Sequence, residues 1–306
     1  MFKYSLDNKR YHTLNYFYRT RFNSKVFKVP LDAGLSCPNK INGKGCIYCK
    51  DNSKANITDN TLSIKEQFIN NIKVLRKKWP NSLYIPYYQS GTNTFASLDK
   101  LKELFELLIN EDKVVGLAIA TRPDTISDEL LDYLEELNKK TFLTIELGLQ
   151  SSNDNTLKFI KRGHDVKCFT DCVNKLKKRG IFTVAHIING LPTDTIDDML
   201  NTVRLLNKLN IDGIKIHMLY ISKDTELEKI YNTNPFHILT KEEYIDVVIK
   251  QLELLKENVV IERITGDPVK EELIEPNWLL KKFCVLNDID KEMVKRNTYQ
   301  GKRVEN

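Results

Sequence analysis

The chain has 306 residues, of which 41% are hydrophobic and 29% charged, with a formal net charge of +6. That length holds one barrel-sized α/β domain with a small extension, or two ordinary domains, and the composition is that of a soluble globular protein rather than a disordered or fibrous one. No apolar run approaches the ~20 residues that cross a bilayer, Met1 to Lys9 is polar and mixed in charge rather than a secretory leader, and six cysteines are too few for a disulfide scaffold, so a cytoplasmic protein with no membrane partner is expected.

In chain order, short β-branched runs alternate with longer helical patterns. Strands are predicted at Lys25–Leu31, Leu83–Tyr88, Val114–Ala120, Phe142–Leu149, Phe182–Ile188 and Gly213–Leu219. Helices are predicted between them at Ser63–Lys78, Leu98–Asn110, Ser127–Asn138, Asp165–Arg179 and Thr195–Leu209. Leu98, Leu101, Phe105 and Leu108 recur with a helical period, and Lys178-Arg179-Gly180 places basic residues before a glycine stop. This alternation implies a parallel sheet with outer helices. Six strands can close partway into a barrel or form an open doubly wound sheet. In both, functional groups belong on loops at the carboxyl ends of strands. Past about Met218 the pattern changes to a long helix at Lys241–Lys256, a short strand at Val259–Ile264 and a mostly helical Trp278–Arg296. These read as a C-terminal extension packed on the core.

Cys37, Cys46 and Cys49 fall within thirteen positions, directly after the first predicted strand. Three thiolates on one loop suit a soft metal or an iron–sulfur cluster, and Gly43 and Gly45 let the longer arm wrap back. Structural zinc sites are closed, usually by four Cys or His ligands, and no fourth lies nearby in sequence. A cluster held by three cysteines leaves one iron open. The alternative is a zinc site completed by a distant histidine, such as His164 or His186. Cys168 and Cys172 share one face of a predicted helix and read as buried packing. The mildly basic balance is compatible with a nucleic-acid substrate.

The pattern Cys37-x8-Cys46-x2-Cys49 departs from the commonest radical S-adenosylmethionine (SAM) spacing, C-x3-C-x2-C. It resembles the longer form in the catalytic subunit of eukaryotic elongator and in bacterial YhcC/YtqA-type radical SAM proteins. The likeness continues in order through Tyr87–Phe95, Ala120–Asp124, Glu146–Ser151, Lys161–His164, Asn189–Pro192, Glu262–Asp267 and Thr298–Gly301. The last two belong to the YhcC/YtqA type.

This resemblance implies an α/β fold, a partial (β/α)6 TIM-like barrel of the radical SAM type with a small α+β C-terminal extension. Residues 1–217 would form the core and 218–306 the C-terminal domain. It implies a [4Fe-4S] cluster on Cys37, Cys46 and Cys49, and S-adenosyl-L-methionine as the molecule cleaved to a 5′-deoxyadenosyl radical. An electron donor such as flavodoxin or ferredoxin is implied, and no side chain need act as acid or base.

By position the likeness implies SAM contacts at Tyr48, beside the adenine, and at Gln89, Thr92 and Asn93 after the second strand. The glycine–glycine–glutamate form common there is absent. Gln150 and Arg162 are further implied contacts, and arginine's planar fork suits the methionine carboxylate. Strand alternation puts Glu146 on one face with Gly148 and Gln150, the expected barrel interior, where a buried acid points to function and is counted among the cofactor contacts. His186 stands where relatives place an acid for the ribose, His217 is a substrate-side candidate, and Arg122 and Asp124 are candidates for the cavity wall. The implied substrate is tRNA, through conversion of 5-carboxymethylaminomethyl to aminomethyl uridine at the wobble position, with Lys291, Lys295, Arg296, Lys302 and Arg303 available to phosphates. A radical SAM enzyme acting on a small molecule, and a non-catalytic zinc protein that binds RNA, are the other readings.

Overall fold

The computed structural model describes residues 9–41, 43, 45–50, 59 and 61–305. The N-terminal stretch through residue 8, and Asn42 and Lys44 of the cysteine loop, lie outside the described residues. The elements run α1 (Leu14–Phe22), β1 (Val26–Leu31), α2 (Pro38–Ile41), α3 (Ile64–Lys78), β2 (Leu83–Tyr88), α4 (Leu98–Glu106), β3 (Gly116–Thr121), α5 (Asp128–Lys140), β4 (Phe142–Gln150), α6 (Asp154–Phe159), α7 (Val166–Lys178), β5 (Phe182–Asn189), α8 (Ile196–Lys208) and β6 (Gly213–Met218). They continue with β7 (Ile221–Ser222), α9 (Glu226–Thr233), α10 (Lys241–Leu254), β8 (Val260–Arg263), β9 (Leu273–Glu275) and α11 (Lys282–Lys295).

Among the described residues, seven parallel strands form one curled sheet in the order β1-β2-β3-β4-β5-β6-β8, a partial barrel covered by helices. β7 and β9 make a separate antiparallel pair. The seventh strand differs from the six-strand expectation. The strand predicted at Val259–Ile264 is β8, and it pairs with β6 rather than standing in a separate extension. Periodicity reports that a segment is extended, not which strand it joins. Here Ile261 enters the core shared with the helices, while Glu262 turns to two lysines of the interior.

Alternation along β4 sets the layers. Leu143, Ile145, Leu147 and Leu149 belong to the same core as Leu130, Leu134 and Leu137 of α5 and Phe169, Val173 and Leu176 of α7. Each buried aliphatic or aromatic side chain contributes roughly 2 kcal/mol relative to exposure. The intervening Thr144, Glu146 and Gly148 face inward. Three helices start on full capping boxes, Ser63/Glu66 on α3, Thr195/Asp198 on α8 and Thr240/Glu243 on α10, each closing orphan amides of the first turn. α4 stops at Glu106 instead of reaching Asn110. The chain turns there so that Leu108 is buried and Leu107 exposed.

α1 has no counterpart among the predicted elements, because its aromatic sequence favours strands as readily as helices. Packing decides its state. Phe17 stacks on Phe182 at 5.1 Å and meets Phe142, while Phe22 also meets Phe142. Phe142 and Phe182 open β4 and β5, so α1 plugs the amino end of the barrel and leaves the carboxyl end open. Among the described residues, no helix is long and apolar enough to cross a membrane.

Candidate functional site

At the carboxyl ends of the strands lies a cavity of about 660 Å³. The loop after β1 brings Cys37, Cys46, Tyr48 and Cys49 to it. The loop after β2 brings Gln89 and Thr92, β4 brings Glu146 and Gln150, β5 brings His186, and the segment after α6 brings Arg162. Asn93, expected beside them, is not in this wall. It is fully buried, and its side-chain amide donates to the carbonyls of Tyr88 (3.0 Å) and Ala120 (2.9 Å), tying the β2 loop to β3.

The cysteine loop is built around backbone anchors. The amides of Lys40 and Ile41 donate to the Cys37 carbonyl at 2.9 and 3.1 Å, which makes the one-turn α2. Ile47 is buried with Leu157, Ile160 and Leu227, and its amide donates to the Ile160 carbonyl at 3.1 Å. That apolar peg fixes Cys46 on one side and Tyr48 and Cys49 on the other. Asn39 Nδ2 donates to Cys46 Sγ at 3.5 Å and to the Lys161 carbonyl at 2.7 Å. Arg162 Nη1 lies 3.9 Å from the same sulfur, and its Nη2 donates to the Gly148 carbonyl at 2.7 Å. A hydrogen bond from the Cys49 thiol lowers Cys46 to about 5, and the Arg162 guanidinium helps against the opposing effect of burial. Cys49, giving that hydrogen bond, is held well above the ordinary thiol range.

These residues fit an iron–sulfur cluster. The donor set is three thiols on one cavity, with thiolate character favoured at Cys46. Among the described residues, no three Cys, His, Asp or Glu side chains converge as a single metal ion needs. A four-iron cluster instead takes one thiolate at each of several separate corners. The histidines weighed for zinc are engaged elsewhere: His164 faces the Gly148 carbonyl at 3.2 Å, and His186 bonds Glu146 at 2.7 Å. The buried Arg162 Nε and Ser90 Oγ have no partner, and both residues line the cavity, so donors are available to a polar cofactor there.

Two glycines make the approach possible. At Gly91, with φ +76°, a Cβ would lie 2.2 Å from the Leu35 carbonyl oxygen, so the β2 loop rests directly on the segment leading to Cys37. At Gly148, a Cβ would lie 2.6 Å from Arg162 Nη2. Between Gly148 and Gln150 the register slips, and Gln150 is held in the left-handed region at φ +81°. Such a conformation costs a side-chain-bearing residue about 1–3 kcal/mol and persists where surrounding structure imposes it.

Beneath the cavity the interior is a network of charges. Glu146 accepts from Lys28 (2.6 Å), Tyr87 (2.8 Å), His186 (2.7 Å) and Lys215. Glu262 pairs with Lys28 at 2.6 Å and lies 3.7 Å from Lys215. Burial alone would raise Glu146, but the ammonium groups of Lys215 and Lys28 outweigh it and hold the carboxyl well below its usual range. Burial lowers Lys215 and His186 against the pull of Glu146, and burial with the neighbouring His186 pushes His217 well below the ordinary histidine value. Lys28, Lys215 and Glu262 were not among the sequence candidates for this site. Lys28 and Lys215 lie in Val26–Leu31 and Gly213–Met218, and the pattern of a strand alone does not separate a lysine facing the interior from one facing solvent.

Arg122 lines the cavity, as expected, with its guanidinium forked onto Asp124 at 2.9 and 2.8 Å and onto the Arg162 carbonyl at 2.9 Å. Cys172 is buried and pushed up to about 12, and burial raises Cys168 as well, which makes both thiols poor nucleophiles. The C-terminal basic residues expected to meet phosphate already have partners. Arg296 pairs with Asp246 and Glu292, Lys295 with Glu292, Lys291 with Asp288 and Arg303 with Glu253, while Lys302 donates to the Asn297 carbonyl.

Family models match residues 36–206 as the radical SAM superfamily and residues 211–295 as the Radical_SAM C-terminal domain. The uncharacterized protein YtqA of Bacillus subtilis is 42% identical over 305 residues, covering 98% of this chain and 95% of YtqA. YhcC of Escherichia coli is 30% identical over 275 residues, covering 89% of this chain and 88% of YhcC. A weaker, partial match is a tRNA uridine(34) acetyltransferase of Methanocaldococcus infernus, 27% identical over 56% of this chain and 32% of that protein. Among solved structures, the archaeal Methanocaldococcus infernus Elp3 lacking residues 1–46 superposes with a TM-score of 0.68 at 21% identity, over 90% of this chain and 64% of that one, a likeness of fold.

Proposed function

The chain belongs to the radical SAM superfamily, in one family with YtqA and YhcC, and from that premise we propose that it modifies tRNA, converting 5-carboxymethylaminomethyl uridine to aminomethyl uridine at the wobble position, with SAM as the two-electron oxidant of the methylene next to the carboxylate and water cleaving the resulting imine to free the two carbons as an aldehyde acid. Its cofactors are a [4Fe-4S] cluster and SAM. Cys37, Cys46 and Cys49 hold the cluster. When bound, it supplies the electron that splits the SAM sulfonium, freeing a 5′-deoxyadenosyl radical able to abstract hydrogen.

The protein's own part is to position and to exclude water. Arg162, steadied by the Gly148 carbonyl, keeps its unpartnered Nε for the methionine carboxylate. Tyr48 offers its ring to the adenine, while Gln89, Thr92 and Gln150 supply polar contacts from the two adjoining loops. His186 meets the ribose, and Glu146, its oxygens taken by four donors, fixes the imidazole from below. Residues 1–217 carry the cofactors, and 218–306 form the C-terminal domain that adds β8. Flavodoxin or ferredoxin serves as electron donor, and the protein works in the cytoplasm.

The observation that carries the radical chemistry is the convergence of the three loop cysteines on the cavity holding Arg162, Gln150 and His186. The choice of tRNA is supported by the tRNA uridine(34) enzyme among the partial relatives and by the net charge of +6. The test is anaerobic reconstitution with SAM, a reductant and total tRNA, followed by mass spectrometry of nucleosides. Formation of 5′-deoxyadenosine with loss of 5-carboxymethylaminomethyl uridine is expected. A wobble-uridine profile identical to that of the no-enzyme control overturns the tRNA assignment.

A further inference from the structure

The cavity has a second basic group besides Arg162 whose charge is incompletely matched. Arg263 ends β8 opposite Lys215 of β6 and lines the cavity. One edge is held, Nη1 to Asp267 at 3.2 Å. Asp267 also takes Lys282, so one carboxylate serves two cations. Among the described residues, no other group bonds the Arg263 guanidinium, and its side chain remains 37% exposed. Below it, Lys28 and Lys215 are balanced by Glu146 and Glu262, so the floor neither competes strongly for an anion nor supplies one.

His217 stands on the same wall. Its ring lies 5.5 Å from that of His186, and no hydrogen bond to it is made by the described residues, so its N–H is available to the cavity. Arg263 and His217 line the same cavity as Cys37, Cys46 and Cys49 of the loop after β1.

We propose that the free edge of Arg263, with the His217 N–H beside it, binds the carboxylate of the modified uridine and so makes the enzyme select wobble uridines that carry an acidic side chain. The inference rests on the tRNA reading above. A planar guanidinium can take a carboxylate through two parallel hydrogen bonds, which both selects the acid and fixes the methylene next to it. Arg263 falls in the stretch that matches the Radical_SAM C-terminal domain, not the superfamily core that handles SAM.

The test compares holoenzyme binding to two synthetic anticodon stem-loops, one with 5-carboxymethylaminomethyl uridine and one with unmodified uridine. Wild type should prefer the acid-bearing RNA about tenfold, the equivalent of one charged hydrogen-bond pair at ~1.4 kcal/mol. In Arg263→Gln that preference should vanish, with KM for the acid-bearing RNA raised about tenfold or more; Arg263→Lys should recover part of it. Iron–sulfur absorbance and thermal melting establish that the variants are folded, and His217→Ala provides an independent check with a smaller loss. Retained preference in Arg263→Gln overturns the inference alone, as does a raised KM for SAM with RNA discrimination intact. Failure of wild type to bind or turn over either RNA overturns the tRNA reading, and this inference with it.

Discussion

Glu146 shows how a single buried carboxylate organises the interior of this barrel. With both oxygens taken by donors from β1, β2, β5 and β6, its removal leaves Lys28 and Lys215 sharing Glu262 alone. Breaking a buried pair in this way costs about 3–5 kcal/mol, so urea unfolding of Glu146→Gln should show a loss of that order. A loss under about 1 kcal/mol would mean that water compensates the lysines. Asp194 offers a pH test. Burial raises its carboxyl to about 6, against hydrogen bonds from Thr156 and Ser151. A folded value above the unfolded one of ~3.9 gives stability that is complete below about pH 4 and lost as pH rises through 6. Asp194→Asn should therefore melt higher than wild type at pH 7.5, with the gap closing by pH 4. A gap constant across that range would show that the ionisation is not the cause. The cysteines, Arg162, Gln150 and His186 were legible as motif residues in the sequence. The lysines were not, because an isolated lysine in a strand looks like a solvent-facing one until the carboxylates opposite it are known.

At the scale of elements, the loops after β1 and β2 behave as one unit. Gly91 carries the contact between them, and the methyl group of Gly91→Ala would meet the Leu35 carbonyl while demanding a left-handed backbone. The variant should displace the strand-to-Cys37 segment, and its iron content after reconstitution should fall to less than half of the wild-type value. Full iron loading would show that the loop yields without moving Cys37. On the opposite side, α10 depends on its Thr240/Glu243 box, and Thr240→Ala should lower unfolding free energy by about 1 kcal/mol, read from the denaturation midpoint. The six core strands and five intervening helices were visible in the sequence to within a few residues because their periodicities are regular. The short elements α2, α6, β7, α9 and β9 had no counterpart, being too brief to show a period, and two more differ for opposite reasons. α1 has the wrong propensities and is made by aromatic packing at the barrel's lower end. β8 was seen as a strand but placed in the extension, since its partner β6 lies more than forty residues earlier.

For the whole molecule, the notable fact is how an open sheet is kept curled. β1 and β8 are its two edges, and Lys28 of one pairs with Glu262 of the other at 2.6 Å. Thr13 forms a parallel bridge with Ile261 on the outer side of β8, so the edge strand is covered rather than left to pair with another chain. A chain cut after residue 217 should lose that closure, expose β6 as an edge and aggregate. Light scattering and iron content would register both effects, and a monodisperse, iron-binding fragment would show that the seam is dispensable.

Gln300 extends the same closure to the amino-terminal segment. Its amide donates to the Arg10 carbonyl at 2.9 Å, its side chain accepts from the His12 amide at 2.8 Å, and its own side-chain amide donates to Lys256 and Val259 at 2.8 Å each. Residues 10 and 12 therefore lack these partners until residue 300 has left the ribosome. The lower end of the barrel therefore fastens late in synthesis, only once the residues around 300 can reach back across β8 to the segment that leads into α1.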